Sequence, residues 1–173
     1  MINDKDLYTT IFDYYRPRHT HCWNMLLLSW KDIDRMNDYE QFGFETEYYW
    51  ESFIIRLWLY RTAVKTLEKL PPVKNEATRV VRNFDATFET NGQNGLKIIR
   101  DMIEHFDDYA AGQGRGPGIR ESDLDPWRTI APNRYSRGRF SLDRTKSYEA
   151  TMQLKLDADR VSESFIQNIN LKE

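Results

Sequence analysis

The run Arg100-Asp101-Met102-Ile103-Glu104-His105 gathers a guanidinium, two carboxylates and an imidazole within six positions. An imidazole can give or take a proton near neutral pH. A guanidinium can grip a phosphate through paired N–H donors and stabilise the charge that develops on it. Asp101 and Glu104 could orient either group, although they also add negative charge where a phosphate would sit. On a helix, successive residues advance by about 100°, which puts all four outside the stripe of Leu96, Ile99, Ile103 and Phe106. Arg100 and His105 are then roughly 140° apart, so a second helix or a second chain has to approach both. The same residues also make an ordinary solvated face with i,i+4 pairs such as Arg100 to Glu104.

An arginine, a polar residue, a few variable positions and a histidine on a late helix of an all-helical bundle form the motif of the HEPN family (higher eukaryotes and prokaryotes nucleotide-binding domains). The stretch "RDMIEH" resembles that motif, with Arg100, Asp101 and His105 in its slots. The likeness extends over about residues 4–112, where the preceding segments resemble the family's bundle. Many HEPN proteins are metal-independent ribonucleases that dimerise to bring two motifs together, and many serve as toxins or antiviral effectors; others keep the fold without cleavage. The resemblance implies an RNA-binding protein with endoribonuclease activity in a toxin or antiviral-defence setting. His105 would be its general acid or base and Arg100 would hold the scissile phosphate. Asp101 and Glu104 would support them, and the RNA 2′-hydroxyl would be the internal nucleophile. It also implies a homodimer, an antitoxin or other protein as partner, and no metal or other cofactor.

Further along, Arg115, Arg120, Arg128, Arg134, Arg137, Arg139 and Arg144 are interleaved with Trp127, Tyr135 and Phe140. Arginines contacting phosphates beside rings that stack on bases suit single-stranded nucleic acid, and Arg115, Arg120, Arg137 and Arg139 are the expected RNA contacts. Glu121, Asp123, Asp125 and Asp143 dilute that charge, so a solvated loop or a charged hairpin edge fits equally. "GQGRGPG" at 112–118 follows a helix end, whereas phosphate cradles precede a helix start; it reads as a cap and linker. In "RHTHC" at 18–22, His19, His21 and Cys22 lack a second cluster at zinc-site spacing, so no metal site is expected. There is no nucleophile elbow, Walker loop or dinucleotide fingerprint. Tyr48, Tyr49, Trp50, Phe53, Trp58 and Tyr60 fill a bundle or anchor a protein interface. The second possibility is the alternative function, a non-catalytic interaction or scaffold protein, and a small-ligand pocket lined by these aromatics is a third.

Composition bounds these readings. The chain has 173 residues, 14% of them aromatic, and a formal charge of −2. It is long enough for one domain with a substantial core, and its near-neutral balance argues against a general polyanion binder. The charge is uneven, because residues 113–146 hold eight Lys and Arg against four Asp and Glu, while the remainder holds 17 against 23. A single cysteine excludes an intramolecular disulfide and fits a reducing compartment. The first residues lack a signal-peptide pattern, and the most apolar run, "FIIRLWLY", contains Arg56 and is too short to span a bilayer. A cytoplasmic protein that does not enter membranes is expected.

The elements that must position these residues follow from periodicity. A mainly α fold is predicted: an antiparallel bundle of four to five helices over about 4–112, then a loop, a small C-terminal β-hairpin and a closing helix over about 113–170, all in one domain. Helical spacing over 4–36 is interrupted by Pro17, predicting a break there. The segment 45–70, apolar on nearly every side in its first half, is expected at the bundle centre or against a partner and stops at Pro71-Pro72. A third helix, about 73–88, closes at the Asn91-Gly92 turn signal. A fourth starts near Asn94 and runs to a Gly112 cap. Alternation over 147–156 predicts a strand paired with "GRFSLD" at 138–143, and a last helix is expected from about Asp157, with that residue as its cap.

Overall fold

The computed structural model describes residues 4–36, 44–105, 129–131 and 133–170. Among these residues there are five α-helices: α1 (Asp4–Met36), α2 (Phe44–Lys65), α3 (Lys74–Ala86), α4 (Gly95–Glu104) and α5 (Arg144–Asn170). Two short 3-10 turns, Thr66–Lys69 and Pro71–Val73, link α2 to α3. The fold is mainly α with small antiparallel β elements, as the periodicity predicts. Among the described residues, no helix is long and apolar enough to cross a membrane.

Helix α2 lies at the centre, in contact with α1, α3, α4 and α5. Its composition fits this, the first of the two placements expected for so apolar a segment. Trp50, Phe53, Ile54, Leu57, Tyr60, Ala63 and Val64 are all buried, and each large apolar side chain withdrawn from water contributes about 1.5–3 kcal/mol. Arg56, the charge that interrupts the most apolar run, donates a 3.1 Å hydrogen bond to the Met25 carbonyl of α1.

The expected break at Pro17 does not occur; α1 is one helix of 33 residues. Proline removes a single bond, the one that would reach the Asp13 carbonyl. Asp13 and Pro17 are both exposed, so water can serve that carbonyl. On the opposite face Phe12, Tyr15 and His19 are buried, and their burial outweighs the roughly 3 kcal/mol that an interior proline costs.

The C-terminal third also departs from expectation. Residues 147–156 are not a strand; they belong to α5, which begins at Arg144 rather than near Asp157. The buried positions are Ser147, Thr151, Leu154, Ala158, Val161 and Phe165, a helical series, whereas Tyr148 and Leu156 are exposed. Two small polar residues in that series hide the period. They can be buried because the helix satisfies them: Ser147 Oγ donates to the Asp143 carbonyl, and Thr151 Oγ1 to the Ser147 carbonyl. The cap is Asp143, whose carboxylate accepts from the Lys146 N–H at 2.9 Å. Asp157 instead lies mid-helix, paired with Arg160.

The "GRFSLD" segment does form a strand, but with a different partner. The sheet is an antiparallel meander in the order β3 (Thr129–Ala131), β4 (Arg134–Arg137), β5 (Phe140–Asp143), with Tyr135 opposite Leu142 and Arg137 opposite Phe140. Tyr135, Phe140 and Leu142 face the core. Upstream, β1 (Glu89–Thr90) and β2 (Gln93–Asn94) close a hairpin on Asn91 (φ 51°) and Gly92 (φ 77°). Two successive positive φ values are what a two-residue hairpin turn needs, and Asn-Gly supplies them at little cost.

Candidate functional site

Asn94 starts α4: its side chain accepts from the Lys97 N–H at 3.0 Å, a standard N-cap. Leu96, Ile99 and Met102 are buried beneath it, so the helix is clamped, with Lys97, Glu104 and His105 exposed and Arg100 and Asp101 at the margin of the packed face. Regular helix ends at Glu104, and His105 is the capping residue, with φ −124° and ψ 39° and its N–H bonded to the Asp101 carbonyl at 2.9 Å. The predicted continuation through Phe106 and Ala110 to Gly112 lies outside the described residues.

Arg100 is tightly held. Its guanidinium is ion-paired with Asp101 at 2.8 Å and with Glu104 one turn on, and it lies over the Trp58 ring of α2, 4.9 Å from the centroid. Its Nε is buried, with no hydrogen-bond acceptor among the described residues. A second guanidinium, from Arg61, also lies over Trp58, at 4.8 Å, and makes two hydrogen bonds to the Asp85 carboxylate of α3, one of them 3.0 Å. Lys97 completes the group, 2.6 Å from Asp101. Among the described residues, two guanidiniums thus share the Trp58 indole, and together with Lys97 these three cations are paired with three carboxylates, Asp85, Asp101 and Glu104. His105 is exposed just beyond this group. The i,i+4 pairing of Arg100 with Glu104 was legible in sequence; the Trp58, Arg61 and Asp85 contributions were not, because they come from two other helices.

The arginine-rich stretch has a different placement from the candidate catalytic group. Arg137 reaches α2, donating to Glu51 at 2.8 Å and to the Tyr135 hydroxyl at 2.7 Å, while that hydroxyl donates to the same carboxylate at 3.1 Å. Burial raises the Tyr135 pKa well above the ordinary phenol value. Arg139 donates to Gln93 at 2.6 Å and lies over Phe140, joining the meander to the β1–β2 hairpin. Arg144 pairs with Asp34 and lies over Trp30, and exposed Arg134 bonds to Ser141 at 3.0 Å. These arginines brace the sheet and α5 against the helices. Arg115, Arg120, Arg128 and Trp127 lie outside the described residues.

The residues of "RHTHC" diverge: His19 is buried, His21 exposed and Cys22 partly buried, its thiol pKa raised by burial. Among the described residues no metal-binding group of His, Cys, Asp or Glu is present. His19 instead takes part in an aromatic cluster that sequence reading missed. Its Nε2 is 2.8 Å from the Tyr60 hydroxyl, and its ring packs between Tyr15 and Tyr60, at centroid distances of 5.1 and 5.2 Å. Burial, followed by the nearby Lys155 charge, pushes its pKa down to about 4, so the ring is neutral at physiological pH. Burial also raises both tyrosine pKa values far above the phenol range. The signal available in sequence was the four-residue spacing of Tyr15 and His19 on one helix face; the partner on α2 was not readable. On α2 itself, Trp50, Phe53 and Tyr60 are core, Tyr49 and Trp58 half-buried, and Tyr48 exposed.

Comparison with family models, curated proteins and solved structures gives no match to this chain.

Proposed function

We propose that the chain is an RNA-binding, HEPN-like protein with metal-independent endoribonuclease chemistry at Arg100 and His105, working as a homodimer in the cytoplasm in a toxin or antiviral-defence setting. The observation that carries this reading is Arg100 itself, fixed on the Trp58 ring by two carboxylates one turn before an exposed imidazole at a helix end. A guanidinium whose position is set before substrate arrives loses little freedom on gripping a phosphate, which is the economy that preorganised charge stabilisation requires. Arg100 lies on α4 and His105 caps its end, so a second element has to approach both, and the HEPN resemblance makes that element a second copy, Arg100 of one facing His105 of the other. The imidazole then moves the proton of the 2′-hydroxyl, and the guanidinium steadies the phosphate as it gains charge.

A non-catalytic interaction protein is the second reading. It is favoured by the balance of charge around Trp58: with Asp85, Asp101 and Glu104 neutralising the local cations, one copy offers phosphate little net attraction. Incubation of wild type, Arg100→Ala and His105→Ala with single-stranded and transfer RNA in a chelator separates the two. Cleavage by wild type alone supports the nuclease; equal inactivity of all three, with wild-type folding and assembly, supports the interaction protein.

A further inference from the structure

Helices α1 and α5 run antiparallel and meet through long side chains: Asp34 with Arg144, Trp30 with Tyr148, Trp23 with Lys155, Tyr15 with Ser162, Phe12 with Phe165. Between the Trp23 and Phe12 rungs the seam opens into a groove of about 560 Å³, within the roughly 300–1,000 Å³ of small-molecule sites. Its floor is aromatic. Phe12, Tyr15 and His19 line it and are buried, Trp23 stands at one end, and Ile166 is an exposed apolar group at the other.

The charges on its rims decide what fits. Lys155 and Asp159 neutralise each other within α5. Arg16 on α1 and Glu163 on α5 also line the groove, both exposed. The rung spacing sets them opposite one another, yet neither forms an ion pair with any described residue. A simple anion drawn to Arg16 would face Glu163, and a simple cation drawn to Glu163 would face Arg16. Only a molecule carrying both charges satisfies both rims, and complementarity of this kind excludes the singly charged competitors.

We infer that this groove binds a small aromatic zwitterion, of the chemical class of an aromatic α-amino acid, with its carboxylate on Arg16, its ammonium on Glu163 and its ring over the Tyr15–His19 floor. The site is remote in sequence from Arg100 and His105 and does not depend on their chemistry.

Calorimetric titration of the full chain with L-phenylalanine, 3-phenylpropionate and 2-phenylethylamine tests this. Saturable binding of phenylalanine is expected, with each singly charged analogue weaker by about fivefold or more, the loss of one charge-assisted contact. Arg16→Gln and Glu163→Gln should each weaken phenylalanine by a similar factor. Both side chains are exposed, so their thermal unfolding should match wild type. No saturable heat with phenylalanine up to about 10 mM would overturn the inference. So would equal binding of the three compounds, or wild-type affinity in both variants.

Discussion

His19 should make the stability of this protein depend on pH in a way that one substitution abolishes. In the unfolded chain its pKa is the ordinary 6.5, and in the folded protein it is about 4. The unfolded state therefore binds a proton between those values that the folded state does not, and stability rises with pH across that window. The contribution is complete above about pH 6.5 and is lost as pH falls towards 4. With one pKa unit worth 1.36 kcal/mol, the full loss is about 3 kcal/mol, and about 2 kcal/mol has gone by pH 5. His19 is only 7% exposed, so solvent screens little of this. The groups around it are Tyr60, Tyr15, Lys155 and Asp159; the tyrosines remain neutral throughout the window. The assay is urea unfolding of wild type and His19→Gln at pH 7, 6 and 5. Glutamine can still bond to the Tyr60 hydroxyl but does not titrate. The stability difference between the two proteins should shrink or reverse by about 2 kcal/mol from pH 7 to pH 5. A difference that stays constant with pH would refute the reasoning, since it would mean that His19 protonates as readily in the fold as outside it.

Other perturbations have equally direct readouts. Arg61→Met should lower unfolding stability by about 2–4 kcal/mol, because it leaves the Asp85 carboxylate without its partner; the side chains are 10% and 25% exposed. Adding Asp85→Asn should recover part of that loss in a double-mutant cycle, and additive losses would show that the pair is not coupled. Gly95→Ala would bring a Cβ to 3.0 Å from the Phe88 carbonyl oxygen, which the Gly95 N–H already holds at 2.8 Å. The crowding should outweigh the roughly 1 kcal/mol gained from alanine's helix propensity, and thermal denaturation should show a lower midpoint. Asn94→Ala should cost about 1 kcal/mol by removing the α4 cap, measurable by denaturant unfolding; unchanged stability would mean that another group caps the helix.

What the sequence determined by itself was set by local rules. The apolar run of α2 had to be covered, within the bundle or by a partner, because it is apolar on nearly every side, the Asn91-Gly92 pair had to turn because it accepts positive φ, and the i,i+4 spacing of Arg100 and Glu104 allowed them to pair on one face. Where local rules misled, a distant contact was responsible. Pro17 reads as a break until Phe165 and Tyr60 pack on the inner face of α1, and residues 147–156 read as a strand until buried Ser147 and Thr151 are seen to bond to their own helix. The rest of each site belongs to the tertiary structure. Trp58, Arg61, Asp85 and Arg100 come from three helices, and His19 meets Tyr60 across 41 positions of chain. Periodicity records which face a residue occupies, but not which face it will meet, because that depends on how whole helices pack their apolar stripes together.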